Sequence, residues 1–519
     1  MTGNATAANP AGQPTASGSG SMAGPVSRRW RMLALLGVAQ LMVILDVTVV
    51  VIALPQLGAD LGLSRSSLTW VVSAYTLTFG GLLLLGGRLS DLLGSRTVVL
   101  AGLGIFTAAS LVIGLSDGPG SLIGGRAAQG LGAALLSPAA LSLAVRLFDG
   151  EERTKALGIW SSLSGAGAAL GVLLGGVLTA GPGWAWVFYV NVPIGVVLLL
   201  VLARWLGDDR PAAAGTRRLD PAGALLVTAA AASAAYGLTN AGEHGWLAVP
   251  TLLPATVAVA LSLGFAAHQR AAAAPLIDPA LLARRSVATG TFLIMVATAL
   301  MISVFFLGTF ALQHVRGYGA LATSLMFLPV ALGTVAGANL AARLVGSRGP
   351  GPVSAAGLLV AAAGTALPVV LAGTGVIVAG MSVAAVGLGA VFAGASTIAL
   401  SRAGQHEAGI ASGILSTFHE FGAALGVAAT SSLAAASIAG TSRTGITHGL
   451  ALASAVATVA AVVALLAIRN PTPVVRAACR TSVSRRRFVR HYLEMVIATA
   501  AGMVAIHPVL ELATASSSR

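Results

Sequence analysis

Apolar runs of helix length recur along the whole of this 519-residue chain, each closed by a short stretch carrying Arg, Asp, Gly or Pro. A helix crosses the hydrocarbon core of a bilayer with about 20 mostly apolar residues, so the pattern predicts fourteen spans at roughly 33–54, 69–87, 97–115, 121–145, 156–180, 185–206, 222–240, 247–267, 287–311, 322–345, 354–373, 375–400, 408–437 and 449–468. An even number places both ends of this core on one side of the membrane. The octamer Leu89–Arg96, after the second predicted span, recurs in similar form as Ala341–Arg348 after the tenth. Equivalent placement in two six-helix blocks is what a duplicated transporter requires, and it makes the seventh and eighth spans an inserted pair.

Composition agrees with lipid-facing surfaces: 56% of residues are hydrophobic and 9% charged, too few charges to solvate a globular exterior. A net charge of +14 would point a soluble protein toward nucleic acid. Here the basic residues lie between apolar runs, where they set topology, and nucleic-acid binding is excluded. With a cytoplasmic N-terminus, all but four of the 30 basic residues fall in cytoplasmic segments or their flanks. The exceptions are Arg65, Arg316 and Arg443 on the outer side and Arg126 within a span.

The organisation that follows is a disordered tail at 1–28, rich in Ala, Gly, Ser, Thr and Pro, a six-helix half at 29–206, the inserted pair with its loops at 207–286, a second six-helix half at 287–468, and a basic tail at 469–519. Within that tail the apolar segment 492–512 fits either an interfacial helix or a fifteenth span. The lone cysteine, Cys479, allows neither a disulfide nor a thiolate metal site. The lone lysine, Lys155, belongs to no phosphate-binding loop, so no cofactor is expected and energy must come from an ion gradient or from none. Glu243 and His244, without a third ligand, read as a solvated outer turn.

Several segments, in order, resemble the fourteen-span drug:proton antiporters of the major facilitator superfamily. Leu45–Pro55 is similar to their first-span signature, Gly87–Arg96 to the loop between spans two and three, and Arg126–Gly132 to the span-four motif. Gly167–Gly176 resembles the glycine-rich antiporter motif of span five, Trp184–Gly195 the start of span six, and Gln313–Pro329 the entry to the tenth span. The resemblance covers about residues 29–470 and departs from the family pattern at Val51, Leu92, Ser95, Val172 and Ala185. It implies an all-α polytopic membrane protein with the major facilitator fold, two six-helix halves and two inserted helices.

Ionisable groups inside a membrane are costly, which makes each a functional candidate. Asp46 and Arg126 lie at similar depth, roughly 12 Å and 8 Å from the outer ends of spans one and four at 1.5 Å per residue. They can pair if those helices are neighbours, as the resemblance implies, and are the first candidates for proton coupling. His419 and Glu420, near the middle of span thirteen, are the second; adjacent residues diverge on a helix, so one should face the cavity and the other a neighbouring helix. Gly87, Asp91, Gly94 and Arg96 form a candidate cytoplasmic gating loop. Gly167, Gly171, Gly175 and Gly176 are candidates for close helix packing, and the resemblance implies that span five meets span eight of the twelve-helix core. Thr48, Tyr75, Gln129 and Phe306 are candidates for the substrate cavity.

The resemblance implies a secondary transporter, not an enzyme, that exports a hydrophobic or amphipathic drug or antibiotic across the bacterial plasma membrane against protons. Its partners would be that substrate, protons and the lipid bilayer, with the monomer as working unit. A carrier or flippase for a lipid, siderophore or other metabolite would use the same scaffold, and a sensor or scaffold role is the remaining alternative.

Overall fold

The computed structural model describes residues 26–206, 219–272, 275–277, 279–282, 284–401, 405–434 and 444–469, and the secondary structure assigned there is helical. Inside hydrocarbon every backbone N–H and C=O must be satisfied within its own segment, so even the β-branched run Val47–Ile52 folds as helix. The spans are α1 Val26–Asp60, α2 Arg65–Leu93, α3 Ser95–Gly114, α4 Pro119–Arg146, α5 Gly150–Ala180, α6 Trp186–Trp205, α7 Pro221–His244, α8 Val249–Ala271, α9 Arg285–Thr309, α10 Ala320–Arg348, α11 Pro350–Val370, α12 Thr374–Leu400, α13 Gln405–Leu433 and α14 Thr444–Arg469. Among the described residues, thirteen helices are long and apolar enough to cross a membrane. The fourteenth, α5, has 31 residues and a described apolar stretch at Ala169–Ala180. The apolar segment at 492–512, Cys479, Arg443 and residues 1–25 of the N-terminal tail lie outside the described residues, while residues 26–28 of that tail begin α1.

Packing displays the duplication more clearly than the octamer does. In the first half α1 packs on α5, α2 on α4, α3 on α4 and α3 on α6; in the second, α9 packs on α13, α10 on α12, α11 on α12 and α11 on α14. Glycines mark equivalent crossings. A Cβ on Gly102 in α3 would lie 2.7 Å from the Gly132 carbonyl oxygen in α4, and one on Gly357 in α11 would lie 2.6 Å from that of Gly387 in α12. The octamers themselves are not in register. Gly94, at φ 87°, makes the turn between α2 and α3, whereas Ala341–Arg348 is helical to its end and the corresponding turn falls on Gly349, at φ 80°.

The halves meet along two seams, α2 against α13 and α5 against α10. The inserted helix α7 lies on the first, touching both α2 and α13, with α8 packed on α7. We call the arginine-rich side inner. Near the outer ends one apolar cluster is continuous between halves, running from Val49–Leu57 and Leu68 through Phe188 to Ile302–Leu312, Phe327 and Val427. Toward the inner side two other clusters each keep to one half, one built around Leu36, Leu103 and Leu143 and one around Leu293, Leu358 and Leu388. The bundle is closed outside.

Candidate functional site

Local sequence brings the central pair together. Pro119 opens α4, where its missing N–H costs nothing, and α4 packs against α1, α2 and α3. The helix α1 ends at Asp60 rather than at residue 54, so Asp46 lies deeper than the pattern predicts. Asp46 Oδ2 nonetheless pairs with an Nη1 hydrogen of Arg126, and neither side chain is appreciably exposed.

Other polar atoms of the pair are also occupied. Arg126 Nε donates to the Val71 carbonyl at 2.9 Å and Nη1 donates to Gln129 Oε1 at 2.7 Å. Gln129 Nε2 donates in turn to Asp46 Oδ1 at 3.1 Å and to Ser110 Oγ at 2.7 Å. The Tyr75 ring covers the guanidinium, 4.3 Å from its centroid, and the Tyr75 hydroxyl donates to the Val43 carbonyl. Four helices therefore converge on one buried charge pair. Partners of this quality are what allow two charges to remain out of water.

His419 and Glu420 diverge as two neighbouring helical residues must. His419 Nδ1 lies 2.8 Å from the Thr298 hydroxyl of α9, and its ring faces Phe392 of α12, so it looks into its own half. Glu420 faces the other half. Its Cβ occupies the space that a side chain on Gly80 of α2 would need. Among the described residues its carboxyl group has no hydrogen-bond or ion-pair partner, although the residue is only 9% exposed. Ser412 and Ser416, on the sector of α13 between the α2 and α9 contacts, are exposed. Polar groups thus continue inward from the Glu420 level along the face of α13 that points between the halves.

The glycines of α5 divide their work. Gly167, Gly171 and Gly175 abut Ile44, Thr48 and Val49 of α1, in the same half. Gly176, turned by one residue, abuts Ser324 and the Ala320 carbonyl of α10, across the seam. Of the proposed gating residues, Gly87 lies beside Pro138 of α4, Gly94 makes the turn, and Arg96 donates to the Ala203 carbonyl at the inner end of α6, 2.9 Å away. Asp91 lies in the last turn of α2 on the same side. Tyr75, Gln129 and Phe306 are fully buried in this conformation, the first two in the ion-pair network and Phe306 against Phe310 in the outer cluster. Thr48 is taken up at the α1–α5 crossing, its hydroxyl donating to the Leu45 carbonyl.

Two contacts were not foreseen from sequence. Gln313, in a π-helical turn at Phe310–Val315 that continues α9, donates to the Ile52 carbonyl of α1 at 3.0 Å, bridging the halves near the outer side. Glu243 is not in a solvated turn: it pairs with Arg65 at 3.0 Å. The signal for the second was present, because Arg65 is one of few arginines that break the positive-inside pattern. Among the described residues no His, Cys, Asp and Glu group could hold a metal ion.

Comparison with known proteins places this geometry. The family model described as Major Facilitator Superfamily matches residues 36–427. The chain is 38% identical over 457 residues to the cephamycin export protein CmcT of Amycolatopsis lactamdurans, covering 87% of this chain and 93% of that one. It is 39% identical over 416 residues to the puromycin resistance protein pur8 of Streptomyces alboniger, covering 78% and 82%. To the tetracenomycin C resistance and export protein of Streptomyces glaucescens it is 31% identical, covering 77% and 75%. Among solved structures, a bacterial homologue of the human lysosomal transporter Spinster, inward-facing and occupied, superposes with a TM-score of 0.62 at 15% identity, covering 86% of this chain and 98% of that one. An autoinhibited peptide transporter of the POT family gives 0.61, also at 15%, covering 87% and 99%.

Proposed function

This chain belongs to the Major Facilitator Superfamily, and from that premise we propose that it exports a hydrophobic or amphipathic antibiotic-like compound across the bacterial plasma membrane in exchange for protons, with its N-terminus in the cytoplasm. The chain is a multi-pass membrane transporter rather than an enzyme, and its relatives named for cephamycin, puromycin and tetracenomycin C support an antibiotic as cargo. Proton exchange rests on one observation above the others, the sealed Asp46–Arg126 pair.

An ionised carboxylate survives in the membrane interior only while a counter-charge accompanies it. Movement of α1 relative to α4 removes that counter-charge and leaves proton uptake as the way to keep Asp46 buried. The second half can drive such movement, because Gln313 of the α9 extension grips α1 at Ile52, less than two turns outward of Asp46. Glu420, buried where α13 crosses α2 and without a partner among the described residues, supplies a second place for a proton or for a cationic group of the cargo. His419, hydrogen-bonded to Thr298, holds the adjoining face of α13. At the inner ends, Gly94 and Gly87 let α2 turn closely into α3 and past α4 while Asp91 and Arg96 act as the gating pair; Arg96 now secures α6 within its own half. Alternating access around the gap between halves completes the cycle.

The test is flux of a panel containing the three named antibiotics and cationic and neutral dyes, in proteoliposomes with an imposed proton gradient. Wild type should move at least one compound in a gradient-dependent manner and Asp46→Asn should not. Full gradient-dependent flux by Asp46→Asn would remove Asp46 from the mechanism. No flux of any compound, with correctly folded protein, would favour a lipid, siderophore or other metabolite as cargo.

A further inference from the structure

Arg65 begins α2 on the outer side, and its side chain is 8% exposed. Its Nη2 donates to the Thr239 carbonyl of α7 and pairs with Glu243 of α7, both at 3.0 Å; its Nη1 donates to Ser431 Oγ of α13 at 3.3 Å. Thr69, one turn along α2, donates to the same Ser431 oxygen at 2.6 Å. Ser431, Thr69 and Thr239 are all buried. Gly242 lets α7 approach closely, since a Cβ there would lie 2.7 Å from Ser432 Cα. One guanidinium thus joins three helices: α2 of the first half, α13 of the second, and α7 of the inserted pair.

The inserted pair is anchored to the second half at its inner end. Asp220, capping α7, accepts from Gly223 N at 2.8 Å and Gln269 Nε2 of α8 at 2.6 Å, and lies 2.7 Å from His268 Nε2. It also accepts from Leu276 N, while Gln269 accepts from Ile277 N, on the strand of chain that leads into α9. The pair shares an apolar cluster with α9 and α13 through Val227, Phe265, Val287 and Phe418, and Leu77 of α2 joins the same cluster from the first half. Arg65 therefore adds a polar tie from the first half to both the second half and the inserted pair, beside the packing of α7 on α2.

The duplication supplies an internal control. In the related seam, Ser324 occupies the place in α10 that Thr69 occupies in α2, five residues into the helix. There the contact is Ser324 against Gly176, small on small, with the hydroxyl bonded to Leu321 of its own helix. The charged clamp lies on the seam covered by α7, which provides two of its three acceptors.

We infer that Arg65 is a positioning residue of the transport cycle, an outer latch that holds the outward-closed state, and that the inserted helix α7 serves as its catch. Outward opening parts α2 from α13 and α7 at this end, and the buried guanidinium must then leave Thr239, Glu243 and Ser431 together. The inference rests on the alternating-access reading above but on neither the cargo nor the proton.

The test uses full-length protein in lipid nanodiscs, with Cys479→Ser and spin labels at Leu115→Cys and Val370→Cys, exposed positions at the outer ends of α3 and α11. Their separation reports the distance between halves without substrate or gradient. The otherwise unaltered latch should give a dominant short distance. Arg65→Ala should raise the ratio of long to short distances about tenfold, the factor equivalent to about 1.4 kcal/mol; Arg65→Lys, keeping a point charge without the fork, should fall between. Glu243→Gln, at the accessible rim, should shift the ratio the same way by less and serves if Arg65→Ala does not fold. Unchanged distances in monodisperse Arg65→Ala, or in Glu243→Gln if that is the only folded variant, would overturn the latch. Loss of flux with altered distances would leave it standing whatever the cargo proves to be.

Discussion

Neutralising Asp46 alone should cost more stability than neutralising it together with its partner. In Asp46→Asn, Arg126 stays buried with its charge uncompensated. Breaking a buried pair in this way costs about 3–5 kcal/mol. The lower end applies here, because Arg126 still donates to the Val71 carbonyl and Gln129 and still lies on the Tyr75 ring. Arg126→Met leaves the carboxylate with Gln129 as its remaining donor and should cost about 4 kcal/mol. The double variant removes both charges, and an apolar side chain of similar volume takes the guanidinium's place; replacing a whole buried pair in this manner is close to neutral, so about 1–2 kcal/mol is expected. The measurement is reversible unfolding of purified protein in mixed micelles, scored as a double-mutant cycle, with proteoliposome flux alongside. Additive losses, within about 0.5 kcal/mol, would mean that the two side chains are energetically independent. Gradient-dependent flux returning in the restabilised double variant would mean that the pair only locks helices, and the proton-coupling reading would fail.

The other expectations concern packing and pH. Gly176→Ala places a methyl group 2.5 Å from Ser324 Cβ and 3.0 Å from the Ala320 carbonyl, across the seam; overpacking of this kind costs about 1–3 kcal/mol. Because that contact exists between halves, spin-label distances should shift toward the outward-open state. Gly171→Ala meets Thr48 and Leu45 inside one half and should lower thermal stability while leaving the distances alone. At the inner end of α7, burial acts to raise the affinity of Asp220 for a proton, but the bonds from His268, the Gly223 amide and Gln269 outweigh it, leaving its pKa below the ordinary carboxylate value. A depressed folded-state pKa stabilises above the unfolded value, about 3.9, and that contribution disappears as pH falls through the folded value. Thermal stability of wild type should therefore drop more than that of Asp220→Asn on going from pH 6 into the range below 3.9; parallel curves would refute the clasp.

Much of the molecule could be read from the chain, and the parts that could not share a cause. Apolar length and arginine placement marked the spans because lipid enforces both locally. Asp46 and Arg126 stood out for the same reason: a charge inside an apolar run is legible without knowing its neighbours. What the pattern lacked was direction. It could not tell that Gly171 turns to α1 while Gly176 turns to α10, since the whole difference is a rotation of α5 relative to two partners. The repeated octamer pointed to duplication but put the second turn three residues early, at Gly346 instead of Gly349. Gln129 was a candidate for the substrate cavity, but Ser110 and Asp46 take up its amide once three helices are assembled. Glu243 was misplaced likewise, because its partner Arg65 lies far from it in sequence.

The glycines at the helix crossings also constrain how this sequence can drift. Every single-nucleotide change in a glycine codon that alters the amino acid adds at least one heavy atom, whether the product is Ala, Ser, Cys, Val, Asp, Glu, Arg or Trp. At Gly102, Gly132, Gly357 or Gly387 that atom meets a neighbouring backbone, not a side chain able to step aside. Such codons have no tolerated neighbour that changes the residue, and inherited variation in the protein is channelled away from the crossings. It can accumulate on the lipid-facing surface and on polar positions such as Ser412 and Ser416, where a new side chain finds room. A lineage carrying this scaffold can therefore change its repertoire of cargo while its helix crossings stay the same.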